Sequence, residues 1–132
     1  MAILDVLGTY LQSAGIGTLG TNLMLGRLPD DPDACVALFE STGMSPSHVM
    51  GSSVAAIDRP RIRVVCRAER LDYPAARTKA AAVRASLGAV RDTTLSGIKI
   101  MTIVSTSEIY PVRFDSDDRP VMGCDFTVWI AE

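Results

Sequence analysis

The sequence predicts an α+β fold, a mostly antiparallel sheet with two helices packed on it in the order α-β-β-β-α-β-β. Three observations carry that prediction. From Arg61 to Ala68 the apolar residues Ile62, Val64, Cys66 and Ala68 alternate with Arg61, Arg63, Val65 and Arg67, the period-two pattern of a strand with one buried face. Directly after it, Tyr73, Ala76, Ala80, Val83 and Leu87 recur at steps of three and four, the pattern of one apolar helix stripe. Near the C-terminus, Met122, Cys124, Phe126, Val128 and Ile130 alternate again, behind a charged turn bounded by Pro111 and Pro120.

Taken in order, the first helix runs from Ala2 to Ser13, with Ile3, Leu7, Tyr10, Leu11 and Ala14 on one side. Gly15 to Thr21 breaks it. Leu23 to Leu28 reads as a short strand, stopped by Pro29 and the acidic turn Asp30-Asp31-Pro32-Asp33, and Ala34 to Glu40 as a second, central one. Ser41 to Ile57 contains no Asp, Glu, Lys or Arg and is rich in small polar residues, which predicts a loop. Uncharged loops of that length are uncommon in compact domains unless they have a task, so it is either a surface insertion or a contact arm that orders against a neighbour.

The second helix is the best-marked element. Asp72 can accept from free N–H groups of the first turn, and Pro74 sits where its missing N–H costs nothing. Six alanines (75, 76, 80, 81, 82 and 85) let its axis approach a sheet closely, and Gly88 can close it in the left-handed conformation. The closing hairpin pairs a strand at about Ile98 to Ile109 with Val121 to Ala131. The chain shows no internal repeat or low-complexity tract, and 132 residues leave room for one domain, 1–132.

Hydrophobic residues make up 48% of the chain, charged residues 21%, and mean hydropathy is +0.24. No stretch reads as a membrane span, because Val6 to Gly26 carries six polar residues (Thr9, Gln12, Ser13, Thr18, Thr21 and Asn22) and five glycines. No basic residue precedes Ile3 and Leu4, which argues against a signal peptide. An apolar chain without a membrane segment points to a partner covering part of the surface, hence an oligomer. A net charge of −2 excludes a nucleic-acid binder held by bulk electrostatics. Cys35, Cys66 and Cys124 lack metal spacing and read as reduced core residues.

Candidate chemistry is sparse. Gly15-Ile-Gly17-Thr-Leu-Gly20 satisfies G-x-G-x-x-G, but it leaves a helix and enters a strand, opposite to the dinucleotide-binding order. A helix-ending glycine linker is the reading that its position favours. His48 is the only histidine; any Ser/His/Asp or Cys/His site needs it, and no acid nearby orients its ring. Asp115, Asp117 and Asp118 resemble the start of a calcium loop without its glycine or closing glutamate. Arg61, Arg63 and Arg67 share one strand face, with Arg59 just before. They form either a solvated sheet face or one that pairs with carboxylates of a neighbouring subunit. No metal or cofactor site is expected.

The segments GIGTLGTNLMLGRLPDDPD, CVALFES, RPRIRVVCRAERLDYPAARTKAAAVRASLG and IYPVRFDSDDRPVMGCDFTVWI, in this order behind an N-terminal helix, resemble the tail terminator (minor capsid) proteins of long-tailed bacteriophages and prophages. The resemblance covers nearly the whole chain. It implies a structural virion protein of the tail and neck, not an enzyme, assembled in the host cytoplasm into a homo-oligomeric ring, typically a hexamer. Such a ring caps the tail tube and meets a head-side connector, with DNA passing through its lumen without sequence readout. It implies no catalytic residues. On this reading Arg61, Arg63 and Arg67 are candidates for the subunit seam. Met44, His48 and Met50 in the uncharged loop, and Arg113, Asp115, Asp117 and Asp118 in the turn Val112 to Arg119, are candidates for docking. The alternatives are another head–tail joining or tail-tube component, or a small ligand-binding or hydrolytic α+β domain built on His48 and the glycine loop.

Overall fold

The structure, a computed structural model, describes residues 3–30, 33–48, 55–115 and 117–131, with side chains placed for all of these except 42–48 and 55–58. The elements are α1 (Ile3–Ser13), β1 (Leu23–Leu25), β2 (Cys35–His48), β3 (Ala55–Arg67), α2 (Tyr73–Gly88), β4 (Arg91–Leu95), β5 (Ile98–Ser105), β6 (Tyr110–Phe114) and β7 (Pro120–Ala131). The expected α+β order is present, with two further short strands, β4 and β6, in its second half. No helix among the described residues is long and apolar enough to cross a membrane.

All strands join one seven-stranded sheet in the order β1-β2-β3-β7-β5-β4, with β6 also on β7. Every pairing is antiparallel except β1 with β2. Val36 and Leu38 of β2, Ile62, Val64 and Cys66 of β3, and Met122, Cys124, Phe126 and Val128 of β7 point to one face and form the core. There they meet Val6, Leu7 and Leu11 of α1 and Ala76, Ala80, Val83 and Leu87 of α2. The alanines do what small side chains allow: Ala76 and Ala80 are buried between the α2 backbone and the sheet. Tyr73, placed on the same stripe by spacing, is 37% exposed.

Both helix ends have physical causes. The Asp72 carboxylate accepts from Ala75 N–H at 3.3 Å, with Pro74 in the first turn. At the C-terminus of α1, Gly15 has φ +84°, Gly15 N–H donates to Gln12 O at 3.1 Å, and Ile16 N–H donates to Leu11 O at 3.0 Å. These are the paired bonds of a Schellman end, and Ile16 and Leu11 share the core. Gly88, in contrast, stays out of the left-handed region; Val90 N–H donates to Leu87 O at 3.1 Å and ends α2 without it.

Three boundaries differ from the expectation. The stretch after Glu40 is not a loop: β2 continues to His48 against β3, which starts at Ala55, and the pairing shifts register between Ser41 and Met44, between Met44 and Ser47, and between Ser47 and His48. Pro46 lies within the second shift, where a ladder tolerates a missing donor. Within the predicted first hairpin strand, β5 ends at Ser105 and β6 begins at Tyr110; both line the same edge of β7. The predicted turn from Val112 contains the end of β6, so its irregular part begins after Phe114. Finally, β4 turns into β5 through Ser96 (φ +49°) and Gly97 (φ +82°), the two positive values of a type I′ hairpin, closed by the pair Leu95–Ile98.

Candidate docking surface

The sheet face opposite the helices is the surface on which the predicted residues fall. Across it, Ser41, Arg61 and Thr127 form one row, Phe39, Arg63 and Asp125 the next, and Ala37, Val65 and Gly123 a third. Arg63 is exposed; its Nε donates to Asp125 Oδ1 at 3.0 Å, and that bond and the carboxylate charge raise its pKa. Tyr110 Oη donates to the same oxygen at 3.3 Å. Loss of water, then the Asp125 charge, pushes its phenol above the usual value, so it stays a donor at neutral pH. The Tyr110 ring lies over Gly123, where a Cβ would stand 2.9 Å from its Cε2 and Cζ. Arg59 stacks over Trp129, 5.4 Å from the ring centroid. Arg61 is half-buried, and its Nε has no hydrogen-bond partner among the described residues.

Arg67 corrects the picture of an exposed arginine face. It is 4% exposed, and its guanidinium donates to the backbone oxygens of Asp33 at 2.8 Å, Asp30 at 3.2 Å and Pro29. The arginine at the end of β3 therefore holds the β1–β2 connection inside its own chain.

The turn after β6 is built on a residue that the sequence did not single out. Arg119 is buried and faces four carboxylates: Asp115 at 2.8 Å, Asp33 at 3.0 Å, Asp30 at 3.3 Å and Asp117 at 3.4 Å. It also donates to Asp30 O at 2.6 Å. The Asp115 carboxylate accepts from the N–H groups of Asp117 and Arg119, each at 3.0 Å. Loss of water would raise the Asp115 pKa, but these N–H groups and the Arg119 guanidinium outweigh it and hold the carboxyl below its usual value. Arg67 and Arg119 thus tie the β1–β2 and β6–β7 connections together. The signal was an arginine ahead of Pro120 among aspartates, but only the fold brings residues 30 and 33 to it.

The remaining candidates separate. Arg113 is exposed on β6, and Asp118 (φ +57°) forms an ion pair with Arg70 at 3.5 Å. Asp115 and Asp117 turn toward Arg119, and no group of three metal-ligating side chains occurs among the described residues. Met44 and His48 lie on β2, paired with Arg59 and Ala55, and their side chains are outside the described set, as is Met50 altogether. The glycine loop runs from helix to strand, and two of its donors are taken up by side chains of the same segment: Thr18 N–H donates to Asn22 Oδ1 at 2.7 Å and Leu19 N–H to Gln12 Oε1 at 2.8 Å. All three cysteines are free and buried, and burial pushes the Cys66 thiol up to about 12.

The comparisons agree with this fold. Over 99% of its length the chain superposes on 96% of a chain from the virion of a native gene transfer agent particle, with a TM-score of 0.68 and 18% identity. No curated protein matches the sequence. The sequence profile described as bacteriophage tail terminator protein matches residues 10–131, from the last turn of α1 to the end of β7, and so includes the whole sheet, α2 and both tied connections. The chain belongs to the bacteriophage tail terminator family and is a structural protein of the phage virion.

Proposed function

We propose that the protein is one domain that assembles with copies of itself into a closed ring, a hexamer, on the end of the completed tail tube. The ring stops tube growth and presents its other surface to the head-side connector, while DNA passes through the lumen without sequence readout. The observation that carries this reading is the family match over residues 10–131. The bare sheet face supports it: Arg61 and Arg63 stand there beside Phe39 and Thr127, a mixture suited to a protein neighbour. Arg61 and Arg63 are the seam candidates; Arg67 is committed inside the subunit. Arg113 of β6, Asp117 and Asp118 of the turn that follows it, and the far ends of β2 and β3, with Met44 and His48, are the candidates for contact with tube and connector.

The test is tail length. Phage lacking the protein should make overlong tails, and the wild-type protein supplied in trans should restore uniform length. Tails of normal length in its absence would overturn the reading. The seam is tested by Arg61→Glu with Arg63→Glu, followed by light scattering and thermal melting: the assembled mass should fall while a cooperative melt persists. An unchanged mass would remove these two arginines from the seam.

A further inference from the structure

We infer that the arginine face assigned to the seam, on the ring reading above, takes up the carboxylates of Asp30 and Asp117 in the next copy of the chain. Arg61 and Arg63 lie two residues apart on the open side of β3, a step of about 7 Å along the strand. The residues paired with Arg61 are Ser41 and Thr127, and neither is charged. Arg61 has no hydrogen bond or ion pair among the described residues, and its Nε is buried without an acceptor. A buried donor left so costs free energy until an acceptor arrives. Arg63 is exposed and gives only its Nε to Asp125 among the described residues, which leaves its Nη groups for a second carboxylate.

Asp30 and Asp117 supply what this face lacks. Arg119 Nη2 lies 3.3 Å from Asp30 Oδ1 and 3.4 Å from Asp117 Oδ2. The two oxygens are therefore no further apart than those distances together, about the span of a two-residue step along a strand. Their side chains are 96% and 70% exposed, against 5% for Arg119, so the guanidinium fixes them from behind and leaves them open to a neighbour. Asp33 and Asp115 share the same guanidinium, and even with Arg67 beside it negative charge is in excess there. Guanidinium forks and carboxylates pair with good geometry.

Within one chain the two sets do not meet. Arg61 is six residues along β3 from Arg67, which holds the Asp30 carbonyl, a separation of about 20 Å. Between copies the contact joins two different patches, the heterologous kind that closes into rings. A nucleic acid would bring anions to the same face, but the net charge of −2 opposes it.

The test is charge reversal in the purified full-length protein, read as mass by light scattering. Arg61→Glu with Arg63→Glu, and separately Asp30→Lys with Asp117→Lys, should each weaken self-association at least about tenfold, as loss of close interfacial charge pairs does. Each variant then sets like charges against each other. Mixed in equal amounts, the two present opposite charges across every contact, and the mixture should regain the wild-type mass. Raising the salt concentration should dissociate wild type and mixture alike. Cooperative melting checks that each variant folds; if the lysine variant does not, Asp30→Asn with Asp117→Asn takes its place and should still weaken association. Loss of mass in both variants with no recovery on mixing leaves Arg61 and Arg63 at the seam and overturns their pairing with the two aspartates. Unchanged mass in the aspartate variants, or a wild type that stays a monomer at every concentration, overturns it as well. Duplex DNA is titrated in parallel, and binding that the arginine variant loses would overturn the pairing in favour of phosphates. No tail is present in these experiments, so their outcome is independent of the tail-length test.

Discussion

Arg119 holds together the place where the β1–β2 and β6–β7 connections meet. It lies buried among Asp30, Asp33, Asp115 and Asp117, so its removal leaves several carboxylates repelling one another where two connections meet. Arg119→Met should therefore lower the melting temperature clearly more than Arg70→Ala, whose partner Asp118 is exposed. Equal losses in differential scanning calorimetry would show that the clamp is not a stabilising unit. The same cluster sets a pH dependence. The folded pKa of Asp115 lies below its ordinary value of 3.8, so its contribution is present above that value and is lost as pH falls through the lower folded value. Asp115→Asn should be less stable than wild type at neutral pH and approach it in acid. A gap that stays constant with pH would rule this out.

Among the elements, β7 is the one that the others share, since it pairs with β3 on one edge and with β5 and β6 on the other. Gly123 is the position where this crowding is tightest. A Cβ there would stand 2.9 Å from the Tyr110 ring and 3.0 Å from Val112 Cγ2. Gly123→Ala should destabilise by about 1–3 kcal/mol, as overpacking does, and by less in a Tyr110→Ala background. Urea denaturation of the two single variants and the double variant measures that coupling. Additive losses would mean that the ring is not the obstacle. On the core face, Leu87 of α2 is fully buried, and Leu87→Ala should cost about 2–5 kcal/mol.

At the scale of the whole molecule, one sheet face is covered by both helices and the other is open. An antiparallel sheet tolerates that division in water when the open face is polar. Here the open face mixes arginines with Phe39, Val112 and the 46%-exposed Val104, more apolar than a solvated face requires. That surface is where assembly into a ring, as proposed, would find its contacts. The purified protein should accordingly show a concentration-dependent mass in light scattering after size exclusion. A monomer at every concentration, with or without tail tubes, would leave the open face without a neighbour of its own kind.

The sequence by itself determined the elements whose signals are local. Period-two alternation in β3 and β7, the stripe and N-cap of α2, and the glycine that ends α1 all depend on neighbours a few residues away. They can be read before the chain folds. The structure decided what depends on distant partners. β4 is exposed along most of its length and carries no alternation; its one local sign was the Ser96-Gly97 turn. The small polar residues after Ser41 have weak strand preference and are extended because β3 lies beside them. Arg61, Arg63 and Arg67 share a period, yet one is half-buried, one pairs with Asp125 and one is sealed inside. Alternation specifies the face on which a side chain lies. What covers that face is set by chain segments remote in sequence, and for Arg67 and Arg119 those segments are the two acidic turns that the fold brings together.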